Sequence, residues 1–354
     1  MPAAVEKPCM HRVIGERSAD RIDADLARDL LSEMVRARVF DERAFALQRQ
    51  GWMSGYPPFR GQEASQVGAA AAMADDDWLV PTYRSNAMQL TRGVPMADIL
   101  RFRRGFPEYG SNHDVPVLPQ AVPIASQIPH ATGLGMAANY RDTDEAVICY
   151  FGDGVTSEGD FHEGLNFAGV FETPVVFFCE NNGWAISTPE GRQTKSETIA
   201  AKADAYGIEK ARVDGNDPLA VYEIVAKSME FAREGSPVLV ESLTYRQGPH
   251  TTSDDPERYE ERAEFPDWRT RDPLDRFEEY LREADIIDAV FVESARETAE
   301  TAFDAARRAA EDAERAPEAL FESVYEERPP MLERQHAELT AWIEKHGDPY
   351  ENGE

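Results

Sequence analysis

The chain has 354 residues, enough for one large domain or two, and its 66 acidic residues oppose 37 basic ones for a net charge of −29. Its 34 aromatic residues exclude an acidic disordered chain. The absence of a basic patch argues against direct nucleic-acid binding, and no apolar run approaches the length of a membrane span. Only six of the basic residues are Lys. The acid is therefore expected on the surface of a folded protein adapted to concentrated salt, where repulsion is screened and carboxylates hold water and cations. Cys9, Cys149 and Cys179 form no disulfide framework and no C-x-x-C pair. The first twenty residues lack an apolar signal core, so a cytoplasmic location is expected.

Residues 1–20 read as a loose arm. From Asp23 to Gln50 apolar residues recur at helical spacing and predict a long helix. The stretch 51–73 begins as a Gly/Pro loop and ends as a helix of small residues, and "DWLVPTYRSNAM" reads as a short strand, a loop and a helix start. Residues 105–123 form a long Gly/Pro-rich loop, and "ASQIPHATGLGMAANY" is a second small-residue helix. Ala146–Phe151, Pro174–Glu180 and Pro237–Arg246 are continuous apolar runs of the kind expected for buried parallel strands, with Cys149 and Cys179 inside the first two. Between them "EGDFHEGLNFAGVF" predicts a helix capped by Ser157, "TIAAKADAYG" another, "IEKARVDG" a short strand and "PLAVYEIVAKSMEFAREG" a helix. Strands alternating with helices predict an α/β fold with a doubly wound parallel sheet. A polar excursion and acidic helices over 274–313 follow. The expected division is an arm (1–22), an α/β domain (23–270) and a C-terminal helical segment (271–354).

In such a sheet ligands sit outside the carboxyl ends of the strands. "YFGDGVTSEGDF" places Asp153 after one apolar run, and "ENNGWAIS" places Asn182 after the next. One helical crossover joins these runs, so the two strand ends are expected to be neighbours. A carboxylate and an amide oxygen are hard ligands suited to Mg²⁺, which completes its shell with water and phosphate oxygens. Flanking glycines would let backbone N–H groups approach a diphosphate. "GLGMAA" (Gly133 to Ala138) imitates a dinucleotide fingerprint, but no strand precedes it, and close helix packing explains its small residues better.

The spacing of G-D-G, 26 residues and N-N closely resembles the thiamin diphosphate binding motif. "GQEASQVG", "VPTYRSNAM", "LPQAVPIASQIPHATG" and "YRQGPHTTSDDPERY" flank it in order. Together they resemble the alpha subunit of the thiamin diphosphate-dependent decarboxylase of 2-oxo acid dehydrogenase complexes, from about residue 25 to the C-terminal helices. The resemblance implies a thiamin diphosphate-binding fold. It also implies that Asp153, the Asn182 side chain and the Trp184 carbonyl hold Mg²⁺, although the family often has Tyr at that last position. Gly154 and Val155 would meet the diphosphate through backbone N–H groups, with Tyr83 and Arg84 opposite. Val122 and Ile124 would contact the rings of the cofactor. His250 would contact the diphosphate and stand near the reacting carbon as the catalytic histidine. In some relatives the hydroxyl after this histidine, here Thr251, is phosphorylated. Ser126 and Gln127 match a potassium-holding segment of branched-chain relatives, but position 121 is Ala.

The same resemblance implies that the carboxylate activating thiamin lies on a separate beta subunit. An α₂β₂ heterotetramer is therefore expected, passing the acyl group of a 2-oxo acid to the lipoyl arm of an acyltransferase component. Pyruvate is the favoured substrate from "LPQAVPIASQ" and "GPHTTSDDPERY"; branched-chain 2-oxo acid dehydrogenase and acetoin dehydrogenase are the alternatives. A non-catalytic partner subunit would be expected to have lost some of Arg84, Asp153, Asn182 and His250, and all four are intact.

Overall fold

A computed structural model describes residues 10–106, 114–120, 122–259, 265–313, 319–322 and 325–347. Cys9, His113 and Ala121 lie outside the described residues. The strands are β1 (Trp78–Val80), β2 (Val147–Gly152), β3 (Val175–Asn181), β4 (Trp184–Ala185), β5 (Thr188–Pro189), β6 (Glu209–Asp214) and β7 (Val238–Leu243). Helices α1 (Ala24–Arg49), α2 (Glu63–Ala71), α3 (Asn86–Thr91) and α4 (Met96–Arg103) come first. They are followed by α5 (Gln127–Arg141), α6 (Gly159–Phe171), α7 (Glu190–Gln193), α8 (Pro218–Arg233) and α9 (Asp267–Thr270). The C-terminal helices are α10 (Pro273–Glu283), α11 (Ala289–Glu311), α12 (Ala319–Glu322) and α13 (Pro330–His346).

Five strands form one parallel sheet in the order β1-β2-β3-β7-β6, and β4 and β5 form a small antiparallel hairpin. The chain starts at the sheet's edge, and each return runs through helices. This is the α/β architecture expected of alternating elements. Both faces of the central strands are covered. Ile148, Tyr150, Val176 and Phe178 point into the core shared with α1, α2 and α8. Val147, Cys149, Phe151, Val175, Phe177 and Cys179 point into the core shared with α5 and α6. That double burial is why β2 and β3 read as unbroken apolar runs rather than alternating ones. Each fully buried Phe or Val contributes roughly 1.5–3 kcal/mol by leaving water. Among the described residues no helix is long and apolar enough to cross a membrane.

Aspartate side chains cap the starts of α1, α8, α10 and α11. The Asp23 carboxylate accepts from the Asp25 and Leu26 N–H groups at 3.0 and 3.2 Å and starts α1. Asp217 caps α8, with Pro218 in the first turn. The same Asp217 carboxylate accepts from the Val13 and Ile14 N–H groups, both at 2.7 Å. The segment expected as a loose arm is thus docked from His11 onward, with Val13 fully buried, because its backbone donors find a buried acceptor. Ser157 is not the cap of α6. It ends a 3₁₀ turn over Asp153–Ser157, and Glu158 takes the cap position without a side-chain bond. Ala200–Ala205 is 3₁₀ rather than α-helical.

The two glycines of "GLGMAA" differ. A Cβ on Gly135 would lie 2.8 Å from Val175 Cγ2 and 2.9 Å from Thr173 Cβ, whereas one on Gly133 would meet open space. Of the two glycines, the close-packing expectation holds for Gly135. Gly135→Val should destabilise the chain by about 1–3 kcal/mol in urea unfolding through overpacking. Gly133→Ala should leave the isolated chain as stable or up to about 1 kcal/mol more stable.

Candidate active site

The site begins with register. β2 and β3 run parallel, with Gly152 opposite Glu180, and α6 joins them. Asp153 and Asn182 each follow their strand by one residue, so they leave the sheet side by side at its carboxyl edge. They line one cavity of about 540 Å³ with Tyr83, Arg84, Ile124, Gly154, Val155, Trp184 and His250. The volume suits a small-molecule ligand. Val122 does not line this cavity. Val122 is 61% exposed and stands before the bend at Pro123, and Ile124 lies beyond it.

Asp153 is 1% exposed, and its Oδ2 accepts from Gln193 Nε2 at 3.0 Å. Burial, offset in part by that bond, pushes its carboxyl up to about 6. Asn182 Oδ1 accepts from the Trp184 N–H at 3.1 Å and tightens the turn into the β4–β5 hairpin, where Gly183 takes φ +87°. The Trp184 ring packs on Tyr259 with centroids 5.4 Å apart, so its backbone is held from both sides. A Cβ on Gly154 would come within 2.8 Å of Ala185 Cβ. Glycine is thus required there by the hairpin packing over the turn, as well as by any close approach of a ligand.

Arg84 is buried, not a surface cation. Its Nη1 donates to the Pro58 carbonyl at 2.6 Å, and Nη2 to the His250 carbonyl and Nδ1 at 2.8 and 2.9 Å. Burial lowers its pKa. A guanidinium only donates, so His250 Nδ1 accepts and the imidazole proton resides on Nε2. Burial, then Arg84 and Arg246, push the His250 imidazole down to about 3. Asp254 accepts the His250 backbone N–H at 2.7 Å and also the Tyr259 hydroxyl, which ties the loop to the residue under Trp184. The Tyr83 ring meets His250 edge-on at 6.3 Å.

Glu180 was not singled out by sequence, and it is central. It is 2% exposed and lines the cavity; its Oε2 accepts from the Tyr150 hydroxyl, from the Gln62 amide and, at 3.4 Å, from Gln66. Burial pushes it up to about 8 despite those bonds. Gln66 also donates to the Arg84 carbonyl at 3.3 Å, so Glu180 and the Arg84 loop share one support. The available signal was a carboxylate closing an otherwise apolar strand. Gln193 was missed as well, because a short helix after a hairpin leaves no periodic trace. Ser126 Oγ donates to the Pro123 carbonyl at 2.8 Å, and Gln127 Nε2 donates to the Tyr150 carbonyl at 3.2 Å.

Among the described residues no group of three His, Cys, Asp or Glu could hold a metal. A cation here would have to share Asp153 with amide and carbonyl oxygens and with oxygens of its own ligand. The donors fit that use: a buried carboxylate with a single side-chain donor, Gln193, and an amide oxygen beside it.

The family model described as dehydrogenase E1 component matches residues 32–318. The chain belongs to the dehydrogenase E1 component family. Its relatives include the "3-methyl-2-oxobutanoate dehydrogenase subunit alpha" of Mycobacterium tuberculosis, 44% identical over 317 residues, 89% of this chain and 86% of the relative. The "Pyruvate dehydrogenase E1 component subunit alpha" of Acholeplasma laidlawii is 42% identical over 274 residues, 76% of this chain and 79% of the relative. The "2-oxoisovalerate dehydrogenase subunit alpha 1, mitochondrial" of Arabidopsis thaliana is 37% identical over 355 residues, 97% of this chain and 75% of the relative. This E1 chain is therefore an enzyme component of the thiamin-dependent 2-oxo acid dehydrogenase type. The dinucleotide reading of Gly133 and Gly135 falls, since both sit within α5 and residues 122–126 before it form no strand.

The neutral His250 of this E1 chain has a measurable consequence. Its folded pKa lies below the ordinary 6.5, so the unfolded chain binds the proton more readily. The contribution to stability is full above 6.5 and is lost as pH falls toward about 3. Nitrogen-15 histidine NMR should find the His250 ring neutral, with its one proton on Nε2, at pH 5–6. Arg84→Met should raise its pKa, because one of the two opposing cations is gone. An imidazole titrating at the ordinary value in the unmodified protein would contradict this geometry.

Proposed function

We infer that the chain is the alpha subunit of a thiamin diphosphate- and Mg²⁺-dependent enzyme that oxidatively decarboxylates a 2-oxo acid and passes the acyl group to a lipoyl arm. The observation that carries this reading is the convergence of Asp153 and Asn182, at adjacent strand ends, on a cavity whose other wall holds Arg84 and His250. Bound thiamin diphosphate supplies the electron sink that decarboxylation needs. Asp153, Asn182 and the Trp184 carbonyl would hold Mg²⁺. Gly154 and Val155 would offer N–H groups to the diphosphate, with Tyr83 and Arg84 facing them. A planar guanidinium pinned by three hydrogen bonds presents its remaining N–H groups without further loss of freedom. His250 would hold a proton on Nε2 for the acyl-transfer stage. Glu180 is largely protonated at neutral pH, so it adds little repulsion beside a diphosphate.

A second polypeptide, the beta subunit, would complete the site in an α₂β₂ assembly that serves a lipoyl acyltransferase. Relatives named for either substrate class support the reaction type. The 44% relative named for 3-methyl-2-oxobutanoate favours a branched 2-oxo acid as the second reading beside pyruvate, which the sequence motifs favour. Comparing kcat/KM for the two acids on the assembled alpha–beta pair decides between them.

Calorimetric titration of that pair with thiamin diphosphate should show binding that requires Mg²⁺. Asp153→Ala should weaken it at least tenfold, in line with losses seen when metal sites are disturbed. Equal affinity with and without Mg²⁺, or no binding, would overturn the reading. The net charge of −29 supports a salt-adapted surface. Raising KCl from about 0.1 M to about 1 M shortens the screening length from ~10 to ~3 Å and should raise Tm. A Tm that is unchanged or lower would contradict that adaptation.

A further inference from the structure

The backbone and the carboxylate of the Asp153 turn are held by different contacts. Two of them fix the backbone. At the far end the Lys202 ammonium donates to the Thr156 carbonyl and to Thr156 Oγ1, both at 2.9 Å. Near the start Gly154 lies under the β4–β5 hairpin, so close that a Cβ there would come within 2.8 Å of Ala185 Cβ. Neither contact touches the Asp153 side chain, whose direction is set by its own torsions and by what it bonds.

That bond comes from Gln193, forty residues on, at the end of α7. Gln193 lines the cavity. Its Nε2 donates to Asp153 Oδ2 and to the Thr188 carbonyl, both at 3.0 Å. A carboxylate and a carbonyl only accept, so both bonds require the amide nitrogen, and the orientation of the amide follows. The second bond braces Gln193 against β5 of the same hairpin. Glu190, at the start of α7, accepts from Asn181 Nδ2 at 3.0 Å. One short helix therefore reaches both strand ends, at Asp153 and beside Asn182. The two candidate ligands differ in their support. Asn182 Oδ1 is held locally, by the Trp184 N–H two residues on. Asp153 has one side-chain donor among the described residues, and it comes from a distant segment. A carboxylate that offers one oxygen to a cation is directed by whatever holds the other.

We propose that Gln193 is a positioning residue for the cation site, holding one oxygen of Asp153 so that the other is presented to Mg²⁺. The inference rests on the reading above that Asp153 and Asn182 hold Mg²⁺ for a diphosphate. Gln193→Met keeps the length of the side chain and removes the donor. Electron paramagnetic resonance of Mn²⁺, titrated into the assembled alpha–beta pair with thiamin diphosphate, reads the affinity directly. The variant should raise the apparent Kd for Mn²⁺ roughly 10–100-fold, as for other outer supports of metal ligands. Its kcat at saturating Mn²⁺ should return to that of the unmodified pair. Thr194→Val removes the acceptor of the Ser196 N–H on the same segment and leaves Asp153 untouched, so Mn²⁺ affinity should not change. Unchanged affinity in Gln193→Met would overturn the proposal. So would a loss of kcat that saturating metal does not restore, the mark of a merely structural role. Should Gln193→Met not fold, a crystal structure of the unmodified pair with Mn²⁺ and thiamin diphosphate decides. Gln193 Nε2 on the Asp153 oxygen that faces away from the ion supports the proposal, and an amide turned away from Asp153 contradicts it. If the unmodified pair binds no Mn²⁺, this inference and the proposed function fall together; if it binds and the variant binds equally well, only this inference falls.

Discussion

The parallel pairing of β2 with β3 is the constraint on which the rest depends. Gly152 stands opposite Glu180, and the next residues on either side of that pairing are Asp153 and, two further on, Asn182. The pairing cannot slide. Alternate residues of both strands belong to two different cores, so a slip of one residue would exchange every side chain between them. The apolar runs that make β2 and β3 strands thus also fix where their polar ends emerge. The crossover helix α6 serves twice: it covers one face of the sheet and closes the connection between the turns that carry Asp153 and Asn182.

The second determinant is burial of ionisable groups in a small volume. Asp153, Glu180, Arg84 and His250 all lose water in folding, and each responds in the direction that favours its neutral form. Glu180 gathers three donors on one oxygen, and through Gln66 it shares a support with the loop that carries Arg84. Arg84 in turn holds the His250 loop by two contacts, and Asp254 fixes the same loop from behind. The two walls of the cavity, one from the sheet edge and one from the loops, are therefore linked through the protein itself rather than only through a ligand.

Much of this was legible in the sequence, for physical reasons. Buried parallel strands carry continuous apolar runs, and pairing those runs brings the G-D-G and the N-N at their ends side by side. The helices α1 and α8 were legible from their sequence segments, and the structure adds the caps Asp23 and Asp217. What escaped depends on contacts between distant segments. Glu180 looks like the end of a strand until Gln62 and Tyr150 are seen to converge on it. The arm near Val13 looks loose until Asp217, some two hundred residues away, is seen to accept its N–H groups. Val122 appeared a partner of Ile124, but only Ile124, beyond the bend at Pro123, lines the cavity. Ser157 had the chemistry of a cap, yet the 3₁₀ turn that places Asp153 uses it up.

The central claim is that Asp153 and Asn182 together form a cation site serving a diphosphate. Crystals of the assembled enzyme grown with thiamin diphosphate and Mn²⁺ in place of Mg²⁺ would locate the ion by its anomalous scattering. The account predicts a single peak within coordinating distance of Asp153 Oδ, Asn182 Oδ1 and the Trp184 carbonyl. A peak bound instead to Glu180, or lying away from Asn182, would contradict it.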